Sequence, residues 1–172
     1  MERVSIYCDL YNFLDTSYTF LKQRAFIDFT KFHYHFIDSN KQKLISVSIF
    51  GGSNLEGLLY KLSHYNHINI IQNSIGWDSK EKRTDVNIAV AMLVDAFNDK
   101  YDTAILMSGG ADFISLVNEV RNMNKKVVIA TPDGQSKANA IKLINSADEV
   151  KVLNNDFYKK YSLQPNKWGS MR

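Results

Sequence analysis

The 172-residue chain predicts an α/β fold, a three-layer α/β/α sandwich around a mostly parallel sheet. Short runs rich in β-branched residues alternate with longer stretches of helical period. The spacing between successive runs suits right-handed crossovers rather than hairpins. With 45% hydrophobic and 23% charged residues, the chain also holds enough apolar material for a full core.

Each element can be justified in turn. Residues 3–8 (RVSIYC) form an apolar run that meets Asp9 and reads as the first strand. Helical sequence follows from about Asn12 to Lys22. A second amphipathic stretch, Asp28 to Ile37, sets Phe29, Phe32 and Phe36 at helical spacing. Residues 44–50 (LISVSIF) are β-branched and stop at Gly51-Gly52, so they read as a strand. Residues 53–65 read as a helix capped by Ser53 or Asn54. Residues 67–72 (HINIIQ) make the third strand. Residues 84–98 form the clearest helix, opening on Thr84-Asp85, which suit a first turn. Strand 103–108, helix 112–123, strand 126–130 and helix 136–146 come next. A short strand at 149–152 and a helical turn at 154–161 complete the pattern. One domain over 1–163 is expected, followed by a polar, frayed tail over 164–172.

Several function classes drop out at this stage. A net charge of +3 permits an anionic partner without demanding one. The single Cys8 excludes an internal disulfide, and no Cys/His spacing points to zinc. No apolar stretch is long enough to span a membrane. The N-terminus enters a strand pattern with no signal peptide, which makes the cytoplasm the expected compartment.

In an open parallel sheet, ligands bind beyond the carboxyl ends of the strands. Asp9 follows the first strand, Asp112 lies in the turn after Ser108, and Asp85 starts the long helix. Three carboxylates converging on that edge would suit magnesium, which prefers oxygen ligands and keeps several waters. The same acids also serve as turn formers or helix caps, a reading the spacing leaves open. Asn12 fits either a hydrogen bond to Asp9 or phosphate, or a plain N-cap. Gly109-Gly110 would let a phosphate approach the backbone, or simply close a tight turn. Lys80, Lys82 and Arg83, just before Asp85, fit a nucleic-acid backbone or a solvated loop. Tyr11 and Trp77 suit base stacking better than Tyr7 and Phe13, which are expected to face the core. His33, His35, His64 and His67 show no partner pattern.

The segments YCDLYNFL, KRTDVNIAVAML, YDTAILMSGGADFISLVNEVR and SADEV, in that order, resemble NYN domains of the LabA-like type. These belong to the PIN-like nuclease superfamily, and the likeness runs from the first strand through Val150. It implies a PIN-like fold and hydrolysis of RNA, single-stranded RNA being the expected partner, with magnesium or manganese as cofactor. Asp9, Asp85 and Asp112 would be the catalytic, metal-binding acids. Asn12, Ser108 and Gly109 would orient substrate, Lys82 and Arg83 would hold phosphate, and a homodimer is allowed.

Two positions depart from the family pattern. Gly110 stands where Ser-Gly-Asp-x-Asp-Phe would place an aspartate, and Ala91 stands at a second customary aspartate. Asp95 follows Ala91 by one turn, about 6 Å along the helix, and so substitutes for it poorly. Missing carboxylates weaken attraction for a dication. The expectation is therefore a ribonuclease with a weakened ion site. The alternative is an impaired domain that binds RNA or protein without turnover.

Overall fold

The first strand, β1 (Glu2–Asp9), is buried from Val4 to Asp9. In the computed structural model, which describes residues 1–22, 26–52, 62, 64–73, 80–132 and 138–163, it belongs to a six-stranded parallel sheet. The others are β3 (Gln42–Gly52), β4 (Ile68–Asn73), β5 (Thr103–Met107), β6 (Lys126–Pro132) and β7 (Glu149–Leu153). Their order is β4-β3-β1-β5-β6-β7. A short antiparallel pair, β2 (Phe26–Ile27) with β8 (Ser162–Leu163), stands apart. The helices are α1 (Leu10–Leu21), α2 (Lys80–Phe97), α3 (Ile114–Asn122), α4 (Ala138–Ser146) and α5 (Asn155–Tyr161).

Alternation along the strands divides the core between two faces. Val4, Ile6 and Cys8 face Phe13 of α1 and the aromatic group Phe157, Tyr158 and Tyr161 of α5. Tyr7, Leu106 and Ile129 face Ile88 and Met92 of α2, Val117 of α3 and Leu143 of α4. Helices therefore cover both faces, which is the expected α/β/α sandwich. Burial on two sides explains why the strands read as continuous apolar runs rather than alternating ones. Among the described residues no helix is long and apolar enough to cross a membrane.

The strand order positions the functional edge. The chain leaves β1 toward β3 and β4, then returns through α2 to β5 on the other side of β1. Connections from β1 and β5 thus diverge, leaving a crevice above their carboxyl ends. This is the switch point where open α/β sheets bind ligands.

Three expectations need correction. Residues 28–37 do not form an α-helix; only a 3-10 turn, Phe32–His35, is present. Asp28 Oδ1 accepts from the backbone N–H and the hydroxyl of Thr30, so a side chain competes for the backbone just where the helix would begin. The helical spacing of Phe29, Phe32 and Phe36 is still used, because all three are buried in one cluster. The long helix starts at Lys80, not Thr84, so Thr84 is a buried interior residue rather than a cap. Positions 80–83 are accordingly helical, not loop. The β2–β8 pair was not anticipated, since two-residue strands leave no periodic signal. The helix expected over 53–65 falls mostly outside the described residues, as do Trp77 and the tail from 164.

At the amino edge, Arg3 clamps the starts of β1 and β5. Its backbone N–H and guanidinium both donate to Asp102, at 2.8 Å and 2.6–3.1 Å. These bonds to the charged form hold the Asp102 carboxyl well down, to about 2. A depressed carboxylate contributes stability above its ordinary pKa of 3.8 and loses it as pH falls toward about 2. Asp102→Asn should therefore lower Tm at neutral pH. Across a pH series the gap to the parent should close between about 4 and 2. A gap that persists below that range would show that the clamp does not act through the charge.

Candidate functional site

Asp9 ends β1 and caps α1, with φ −76° and ψ 95°. The cap follows from sequence: an aspartate directly before a helix turns its carboxylate onto the free N–H groups of the first turn. Its Oδ1 accepts from the Asn12 backbone N–H at 3.2 Å. Its Oδ2 accepts from the Ser108 hydroxyl at 3.3 Å. The side chain is buried.

The turn after β5 is tied to the same place. Gly109 N–H donates to the Asn12 side-chain oxygen at 2.9 Å. Gly110 N–H donates to Ser108 Oγ at 3.3 Å, so the buried hydroxyl serves as both donor and acceptor. Asn12 and Ser108 thus brace two loops against each other across the β1–β5 crevice. Their observed bonds orient Asp9 and the turn.

Asp112 lies in the 3-10 turn Ala111–Phe113, with its side chain exposed. Asp85 is half-buried in the second turn of α2, at the helix end nearest the carboxyl edge. Helix α2 packs against that 3-10 turn. The topology thus sends all three acids to one edge of the sheet. Among the described residues, however, no group of three or more His, Cys, Asp or Glu side chains is placed to hold a metal ion. The edge is shared; a tight cluster is not formed. The oxygen chemistry still fits a magnesium or manganese ion that keeps most of its waters, since such ions need only one or two carboxylates directly.

Asp95 is no substitute ligand. It lies ten residues beyond Asp85, about 15 Å along the helix axis. Its carboxylate accepts from Tyr7 Oη at 2.8 Å and pairs with Lys100 at 2.7 Å. Burial first, and then Asp95, pushes the Tyr7 phenol pKa far up, so Tyr7 donates at every physiological pH. Tyr7 and Phe13 face the core as expected. The side chains of Lys82 and Arg83 lie outside the described residues.

One association was invisible in the sequence. His33 and His67 pack ring to ring at 5.2 Å beneath the amino edge. The buried His33 Nδ1 and His67 Nε2 have no hydrogen-bond partner among the described residues. Their distance apart in the chain matches no ligand or catalytic spacing, so only the fold could reveal the pair. Neither stands near Asp9.

The family model described as the NYN domain matches residues 3–154. No curated protein matches the chain. A crystal structure of a protein of unknown function from Vibrio parahaemolyticus is similar at 21% identity, with a TM-score of 0.71, over 94% of this chain and 96% of that one. At that identity the likeness shows the fold.

Gly110 tests how much room the turn has. Its φ is −74° and ψ is 124°, a conformation open to any residue. A Cβ there would sit 3.5 Å from the Phe113 ring and 3.6 Å from Ser108 Oγ, ordinary contact distances. Gly110→Asp should therefore change stability by less than about 0.5 kcal/mol, since it also adds a cap to the 3-10 turn. Ser108→Ala removes one donor and one acceptor from a buried network and should cost about 1–3 kcal/mol. Chemical denaturation of the two variants checks the contrast; equal losses would mean the turn is not braced as described.

Proposed function

Because the chain belongs to the NYN domain family, of the PIN-like nuclease superfamily, we propose that it is a magnesium- or manganese-dependent endoribonuclease of the LabA-like type with a weakened ion site. The observation that supports this most is Asp9, a buried carboxylate at the β1–β5 switch point, oriented by Ser108 and Asn12. Asp9, Asp85 and Asp112 would hold the ion, mostly through water. A bound dication supplies a more acidic water and offsets charge on the leaving oxygen. Ser108 fixes the direction of the Asp9 carboxylate, so that it is preorganised before substrate arrives. The exposed Asp112 borders the open side of the crevice, where single-stranded RNA would enter. Lys82 and Arg83, in the first turn of α2, would contact the phosphates.

A second reading is favoured by a specific feature. Gly110 and Ala91 leave fewer acids than the family pattern carries, and a domain that lacks turnover would still bind RNA through the same edge. The two readings separate on restoring the acids. Gly110→Asp should tighten manganese binding, on the order of tenfold or more. Ala91 is half-buried against the core, so Ala91→Asp should cost about 1–3 kcal/mol without metal and regain part of that with it. Cleavage of single-stranded RNA should rise in the double variant and vanish when Asp9→Asn is added. A folded double variant that neither binds manganese calorimetrically nor cuts RNA would refute the nuclease reading and leave the binding module.

A further inference from the structure

Helix α2 is apolar on two opposite faces, and among the described residues only one is covered. Thr84, Ile88, Met92 and Ala96 recur every fourth residue and are buried against the sheet and its neighbours. Val86, Val90, Val94 and Phe97 fall about 180° around the helix from them, at 100° per residue. The three valines are between 48% and 59% exposed and Phe97 is 83% exposed. A helix that is hydrophobic all round is normally buried all round. Valine is also a poor helix former, so three on a solvated face gain nothing from local propensity.

We propose that this outer face of α2 is a homodimer interface, in which the helix packs antiparallel against α2 of a second copy. Three features point to a second copy rather than an unlike partner. The three valines are symmetric about Val90, so a two-fold axis there sets Val90 against Val90, Val86 against Val94 of the other chain, and Phe97 against position 83, an arginine, of the other chain. A like-with-like contact places identical charges face to face, and this stripe has none between Val86 and Phe97. The one carboxylate in that stretch, Asp95, is turned aside and neutralised within its own chain by Lys100. The four side chains expose roughly 400 Å², about half of the ~800 Å² each partner gives to a standard interface. The small valines let two helix axes approach to about 8 Å, and flanking residues then supply the remaining area. Positions 86, 90 and 94, where the interface is tested, lie outside the proposed catalytic edge, so the test reads the interface independently of the nuclease reading; position 83, opposite Phe97, is shared with that edge.

Sedimentation equilibrium of the full chain should show a dimer at micromolar concentration. Val90→Glu and Val90→Lys, each on an exposed position, should leave thermal unfolding of the monomer intact. Each should raise the dimer dissociation constant at least about 30-fold. Mixing the two variants should restore dimers, because position 90 meets itself. Under mild oxidation Val90→Cys should cross-link to itself, while Val86→Cys should cross-link only when mixed with Val94→Cys. A parent chain that stays monomeric would overturn the proposal, including the case where residues 164–172 cover the stripe. So would a dimer that survives Val90→Glu, or one whose 86 and 94 positions fail to cross-link.

Discussion

The parallel seam between β1 and β5 is the constraint on which the carboxyl edge depends. Register along it pairs Cys8 with Met107, so the residues that follow each strand emerge side by side. Asp9 and Ser108 are 99 positions apart in the chain and still within hydrogen-bond reach. The crossovers from the two strands run in opposite directions. Strand order, not the detail of any loop, makes this a place where a ligand can meet the backbone. The Asn12–Gly109 bond then joins the first turn of α1 to the turn after β5. At the other end of the same seam, Arg3 and Asp102 fasten the strand starts. The seam is held at both ends.

Much of this was legible in the sequence, for a physical reason. A strand buried on both faces must be a run of apolar residues, and β1, β5 and β6 announce themselves that way. An acid directly after such a run can be placed at the carboxyl edge without knowing any contact. The sequence misled where one residue could serve two structures. Phe29, Phe32 and Phe36 have the spacing of a helix face, but the same spacing lets a turn and a 3-10 segment fill one aromatic pocket. Thr84-Asp85 resemble a helix start, yet the helix begins a turn earlier and buries Thr84. The bracing role of Asn12 and Ser108 was out of reach, because it joins segments that only the sheet brings together. The same holds for the meeting of His33 and His67.

The acids show where reading by type runs out. All that sequence can say of an aspartate is that it carries charge near some element. Asp9 is buried and held, Asp112 is exposed, and Asp95 is spent on Tyr7 and Lys100 at the far end of the helix. Their carboxylates are chemically identical, but only Asp9 combines burial with fixed orientation at the switch point. Preorganisation of that sort costs stability unless neighbours offset it, and Ser108 and the Asn12 backbone do so by donating to the charged form. A site built this way is governed by its second partners as much as by its acids. On the proposed function, losing an acid would weaken the hold on an ion while leaving the crevice intact.

Helix α2 connects the two proposals mechanically. Its inner stripe of Thr84, Ile88, Met92 and Ala96 fixes the rotation of the helix against the sheet. That rotation determines where Asp85 stands at one end and where the valine stripe faces along the whole length. A helix of this length, about 27 Å, starts at the carboxyl edge and finishes near the amino edge. Antiparallel pairing about Val90 therefore sends the first turns of the two helices in opposite directions. The two carboxyl edges end up at opposite ends of the assembly, each open to solvent and neither completing the other. Each copy would then engage its own strand of RNA. The dimer's contribution to the site would be indirect: packing on the outer stripe restrains the same helix that carries Asp85, and holds that carboxylate steady against the turn after β5.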